Sequence, residues 1–321
     1  MGAFGLQTHI WNNNLKSVVL MAGFPVLLLL LMYGLSVGYV GLTQPIDNVG
    51  QGMVLALDHL RRLWPFAFLG AALWFAIAWF SYQSIIEMSV GARGLTRKEA
   101  PELYNLLENL CVSRGLTMPT LNIIETPALN AFASGLSEKS YKVTVTRGLI
   151  ETLDKDELEA VLAHELTHIM NKDVRLLIIA VIFVGVFSFF GELVFRSMFY
   201  RGVRIGGHTR SRSGDSRGGG VLILIAIAMI VIAYVLALVI RFSLSQKREY
   251  LADAGAAELT RNPDAMISAL KKISGHSTVD APNDIQQMMV DNSHPFAGVF
   301  ATHPPIEKRI AALVKFAGGA A

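Results

Sequence analysis

Four apolar stretches interrupt a chain that is otherwise patterned for water. Residues 18–42, 63–82 and 221–240 contain no charged residue, and residues 176–195 contain a single acid, Glu192. Each is about 20 residues or longer, which at helical rise spans a hydrocarbon core of roughly 30 Å. We therefore predict four transmembrane helices. The first run is far longer than the ~7–15 apolar residues of a signal-peptide core, and only Lys16 supplies basic charge ahead of it, so it reads as a retained anchor. Gly34 and Gly38 within it are spaced for a close helix–helix contact, or are small residues tolerated in a membrane helix.

Two polar blocks remain, 84–175 and 241–321, separated by the third and fourth apolar stretches. An even number of crossings puts both on one side of the membrane, where they can form one split domain. In the first block Leu103, Leu106, Leu107 and Leu110 recur at helical spacing, and residues 121–125 and 141–146 read as short strands, the latter alternating Val143 and Val145 with threonines. Asp154 three residues before Glu157 has the form of a capping box opening a helix that runs through His168. The second block reads as helical throughout, with Asn262-Pro263 and His303-Pro304-Pro305 as helix openers.

Composition agrees with this division. The 321 residues are 52% hydrophobic and 17% charged, against about 25% charged in soluble proteins. That excludes a disordered chain, and the single cysteine, Cys111, excludes a disulfide-stapled module. A net charge of +3 makes no case for nucleic acid.

The chemistry lies in the helix beginning near Asp154, which carries His164-Glu165-Leu166-Thr167-His168. Positions four apart share a helix face, so both imidazoles can reach one ion, with Glu165 rotated beside them. Zinc suits imidazole and carboxylate ligands in a tetrahedral site whose fourth position is left to water. Such a water has a pKa of about 7, and a neighbouring carboxylate can take its proton as it attacks a peptide carbonyl. The apolar Val161, Leu162 and Ile169 give the helix a face to bury, which a chance histidine pair would not require.

A third protein ligand is needed. The metzincin continuation fails, because it asks for Gly where Asn171 stands and His where Val174 stands. Glu249, in Arg248-Glu249-Tyr250-Leu251-Ala252-Asp253, is the best candidate. Glu249 and Asp253 are four apart on one face, and their repulsion is relieved by a nearby cation. Glu249 would then ligate, and Asp253 would accept the free ring N–H of a ligating histidine. From the residues alone, a solvated turn beside the membrane remains open as well.

The combination resembles the integral-membrane zinc metallopeptidases that include the bacterial heat-shock protease HtpX and the CAAX prenyl endopeptidase, and the HtpX group most of all. The chain shares the size, the membrane helices before H-E-x-x-H, the hairpin of two more after it, and the E-x-x-x-D pair that follows. The resemblance implies Glu249 as third zinc ligand. It also implies that Asn130, Ala131 and Phe132 match the family's Asn-Ala-Phe edge strand, on which a substrate backbone is laid; alone, Asn130 would read as a turn residue. His303 and Arg309, in Thr302-His303-Pro304-Pro305-Ile306-Glu307-Lys308-Arg309, match the family's His-Pro motif. There His303 would stabilise the oxyanion, and Arg309 would position it or an acidic ligand; without the family, His303 is a helix-start residue.

The loop at 201–220 is rich in Gly and Ser and carries Arg201, Arg204, Arg210, Arg212 and Arg217 against Asp215. It is drawn to anionic headgroups, and no nucleic acid is expected. Its arginines oppose the protease-side Arg93, Arg97, Lys98, Lys172, Arg175, Arg241, Lys247 and Arg248, so charge leaves the orientation open, as it leaves open a hairpin that does not fully cross. Glu192 reads as an ion pair with Arg196.

The fold expected is an α-rich membrane protein, with four transmembrane helices and a mainly helical, gluzincin-type zincin-like domain with a small β-sheet. The segments are an anchor at 1–83, the first protease part at 84–175, a membrane hairpin at 176–240 and the second protease part at 241–321. The activity expected is a zinc endopeptidase holding one ion on His164, His168 and Glu249, with Glu165 as general base and Asp253 orienting a ligand. Its substrates would be damaged or misassembled membrane proteins, an implication of the resemblance. So is its place in a bacterial inner membrane, protease side toward the cytoplasm. A structural zinc scaffold would want four closed ligands and commonly Cys. A transporter would want charged or broken helices at mid-membrane. The residues leave specificity, regulation and oligomeric state open.

Overall fold

In chain order the helices are α1 (Leu6–Thr43), α2 (Val49–Val90), α3 (Pro101–Arg114), α4 (Arg147–Thr152), α5 (Lys155–Met170), α6 (Arg217–Phe242), α7 (Gln246–Thr260), α8 (Pro263–Ile273), α9 (Asn283–Gln286) and α10 (Ile306–Phe316). The strands are β1 (Arg93–Gly94), β2 (Thr120–Ile124), β3 (Ala131–Ser134) and β4 (Lys142–Thr146). This computed structural model describes residues 6–46, 48–179, 182, 185, 196, 217–242, 246–280, 283–286, 288–291 and 304–318. The chain is α-rich with a small mixed sheet. It divides into two compact units, one of Met1–Ser17, Phe80–Ile179 and Phe242–Ala321, the other of Val18–Trp79 and Ala180–Arg241.

Ala22–Thr43, Val49–Val90 and Gly218–Leu236 are, among the described residues, the helices long and apolar enough to cross a membrane. Of the span predicted at 176–195, only 176–179, 182 and 185 are described; Glu192 and most of the arginine-rich loop also lie outside the described residues. α1 packs on α6 through its small residues. A Cβ at Gly34 would stand 3.2 Å from Ile230 Cγ1, and one at Gly38 would stand 3.3 Å from Ala226 Cβ. The Gly34–Gly38 seam therefore closes a contact within the chain. On α2, Phe66, Leu69 and Leu73 remain exposed, an apolar surface suited to acyl chains.

The first unit is built on α5 and the sheet, whose strand order is β1-β2-β4-β3. β2 and β4 pair in parallel, and β3 runs antiparallel to β4 with Phe132 opposite Thr144. Leu121, Ile123, Val143 and Val145 are fully buried on one face of the sheet. α5 is buried almost all round, as expected of a helix inside a core. Leu103, Leu106, Leu107 and Leu110 of α3 are buried too. The chain beyond α8 departs from the predicted continuous helix: Ser274 leaves helical geometry and Gly275 takes φ 77°. The short α9 follows, and beyond it Met289 bridges Phe132 of the sheet in antiparallel sense.

Candidate metal centre

The predicted capping box fixes the start of α5. Asp154 accepts from the Glu157 N–H at 2.9 Å, and Glu157 accepts from the Asp154 N–H at 2.9 Å. Ser268 and Lys272 of α8 donate to the same Glu157 carboxylate, each at 2.6 Å. Burial alone would raise the Glu157 carboxyl, but those donors outweigh it and hold it below the ordinary range.

Two turns on, His164 and His168 face each other edge to face, with ring centroids 4.7 Å apart and Nε2 atoms 3.2 Å apart. Glu249 of α7 places Oε2 3.6 Å from His164 Nε2 and Oε1 3.6 Å from His168 Nε2. α7 comes this near because Gly255 lies against Thr167 of α5, where a Cβ would stand 2.5 Å from Thr167 Cγ2. The three residues offer ligand atoms all within 4.8 Å of one another.

The outer nitrogens of both rings meet carboxylates. His168 Nδ1 is hydrogen-bonded to Asp173 Oδ2 at 3.1 Å. His164 Nδ1 lies 3.0 Å from Asp253 Oδ1, close enough for an ion pair but off the line of a hydrogen bond. With carboxylates on the Nδ1 side of both rings, the two Nε2 atoms face each other across 3.2 Å, where either a shared proton or a bound cation satisfies both. Tetrahedral ligands at ~2.0–2.1 Å from zinc stand about 3.3 Å apart, close to the spacings found here, so these residues fit the ion. Burial lowers the basicity of His164, yet Asp253 and Glu249 outweigh it and push the metal-free ring up to about 9.

Glu165 is 1% exposed, and burial pushes its carboxyl above the ordinary range. The Ala133 backbone of β3 lies beside it and favours the charged form, less than burial opposes it. A cavity of about 30 Å³ opens among Ala133, Glu165, His168, Glu249 and Met288, room for one or two waters.

Arg309 of α10 is fully buried and grips Asp253 bidentately, Nε to Oδ2 at 2.8 Å and Nη2 to Oδ1 at 2.6 Å. Its Nη1 donates to the Val290 carbonyl at 2.6 Å and stands 3.6 Å from Glu249 Oε2. Burial works against charge on both partners, but Arg309 and His164 hold the Asp253 carboxyl below its usual range. Asn130 is also buried: its Nδ2 donates to the carbonyls of Ser277 at 2.7 Å and Asp291 at 3.0 Å, and its Oδ1 accepts from the N–H groups of Ala131 and Val290 at 3.0 Å. Its side chain is thus spent on holding β3 to the 288–291 segment. Val290 N–H also donates to the Ala131 carbonyl at 2.9 Å, and Ala131 and Phe132 are each 1% exposed. His303 lies outside the described residues.

Sequence reasoning missed Asp173, which follows His168 by five residues and so falls off the motif's helical face. It also missed the Glu157 clamp onto α8, whose partners stand more than a hundred residues away.

Two histidines and a glutamate converging in a helical chain with membrane-length apolar helices define the class: a membrane-associated metallopeptidase. A family model described as "Peptidase family M48" matches residues 97–317. A "Protease HtpX homolog" of Bacteroides fragilis is 44% identical over 97% of this chain and 99% of its own length. Another, of Listeria monocytogenes, is 36% identical over 95% and 98%. A crystal structure of S. mikatae Ste24p is similar at TM-score 0.44 and 18% identity, covering 95% of this chain and 66% of that one. The chain belongs to peptidase family M48. It is a metalloprotease with zinc as cofactor and proteins as substrates.

Proposed function

We propose that this protein is an endopeptidase of the bacterial inner membrane that hydrolyses damaged or misassembled membrane proteins, with its catalytic side toward the cytoplasm. His164, His168 and Glu249 hold the zinc. The observation that carries the assignment is the pair of Nε2 atoms at 3.2 Å with Glu249 at 3.6 Å from each. Bound there, zinc supplies a Lewis acid that polarises the scissile carbonyl and activates water near neutral pH.

The chain's own residues do the rest. Glu165, its carboxyl raised by burial, takes the proton of the attacking water and delivers it to the leaving amine. Asp253 orients His164, and Arg309 neutralises and fixes Asp253. β3 offers backbone groups to an extended substrate chain, with Asn130 setting the position of Ala131 and Phe132. His303 serves the charge that develops on the carbonyl oxygen.

The test is to purify the full chain under chelation, restore zinc, and assay cleavage of a membrane-protein substrate by the wild type, Glu249→Ala and Glu165→Gln. Activity should return only in the wild type, while Glu165→Gln still binds zinc. Equal recovery in Glu249→Ala would remove the third ligand, and a fully active Glu165→Gln would remove the proton shuttle.

A further inference from the structure

We propose that Asp173 is a positioning residue for the metal: its carboxylate holds the ring of His168 so that Nε2 faces the ion. The inference rests on the ligand set proposed above and deepens it, since neither the H-E-x-x-H nor the E-x-x-x-D pattern contains this residue.

The contact is made by a break in the helix. Residues five apart on a straight α-helix point about 140° away from each other, so an acid five places after a histidine does not reach it. Here α5 ends at Met170, and Lys172 adopts φ 59°, a left-handed conformation that a side-chain-bearing residue takes only at a cost in strain. Helical geometry resumes at 173–179, and this turn swings Asp173 back onto His168. Oδ2 then meets His168 Nδ1 at 3.1 Å, with Asp173 only 3% exposed.

The same residue is pinned from the other side of the membrane hairpin. Arg248, beside Glu249 and itself 8% exposed, donates Nη1 to the Asp173 carbonyl at 3.3 Å. Asp173 is therefore fixed between α5 and α7, the two helices that carry all three ligands. A carboxylate on Nδ1 fixes the tautomer that leaves the Nε2 lone pair free and makes the imidazole a better donor.

The experiment uses the full chain in detergent, stripped of metal, with zinc titrated against a competing chelator. Asp173→Ala should weaken zinc binding about 10- to 100-fold while the metal-free protein melts at the wild-type temperature. Its cobalt-loaded form should show an altered visible spectrum, because one ligand ring is no longer held. Zinc affinity and cobalt spectrum both equal to wild type would overturn the proposal. Should Asp173→Ala fail to fold, Asp173→Asn keeps the shape and a neutral acceptor: a smaller loss of affinity supports the assignment, and wild-type affinity defeats it. His168→Ala separates the two readings. If it binds zinc like the wild type, the ligand set is wrong; if it loses zinc while Asp173→Ala does not, only the role of Asp173 falls.

Discussion

Gly255→Ala should loosen the metal site without touching a ligand. The new Cβ would stand 2.5 Å from Thr167 Cγ2 and 2.8 Å from its Oγ1, so about 0.9 Å is missing from an ordinary contact of 3.4 Å. Thr167 cannot easily turn away, because its hydroxyl donates to the Ala163 carbonyl at 2.8 Å and it is 4% exposed. The relief available is for α7 to move off α5. In the metal-free protein that movement costs little, whereas binding zinc requires Glu249 to return to the two histidines. Overpacking of this kind costs about 1–3 kcal/mol, which as an upper bound is roughly a five- to 150-fold loss of zinc affinity. The assay is chelator competition on the full chain in detergent. Thr167→Ala in the same molecule removes Cγ2 and Oγ1, leaves Cβ at 3.2 Å, and should restore most of the affinity. Wild-type affinity in Gly255→Ala, or no rescue by Thr167→Ala, would refute the idea that this glycine sets the spacing of the ligand helices.

Three further outcomes follow from the same site. Glu165→Gln should retain zinc and lose about 10²- to 10⁴-fold in single-turnover cleavage. Zinc affinity should rise about tenfold per pH unit up to about 9 and then level, because below that pH the ion must displace the proton that Asp253 and Glu249 hold on His164; a flat profile between pH 6 and 8 would contradict it. Arg309→Ala should lower stability by about 3–5 kcal/mol, read by thermal unfolding, because it strands the Asp253 carboxylate in a fully buried setting.

What was legible in the sequence was local or periodic. The His164–His168 spacing, the Asp154–Glu157 cap and the leucine stripe of α3 each depend on residues within a turn or two, and each is found where the pattern put it. Glu249 was reachable only through charge repulsion with Asp253 and the family resemblance, since periodicity names a face and not what it faces. Asn130 shows the limit plainly. A polar residue between strands reads as a turn, yet its four hydrogen bonds include groups at Ser277, Val290 and Asp291, far along the chain. Asp173 was hidden for a different reason: its contact needs the left-handed Lys172, and nothing in a lysine announces that conformation.

The outer edge of β3 is already in use. Val290 donates to Ala131, Met289 bridges Phe132, and Met288 lines the small cavity beside Glu165. A foreign chain that pairs with this edge therefore enters by exchange. At Ala131 it only replaces the hydrogen bond that Val290 gives up, so its gain there must come from side chains, from the ion and from pairing further along β3. A well-folded protein, whose backbone is paired already, cannot make that exchange without opening first, whereas an extended or unfolded stretch can.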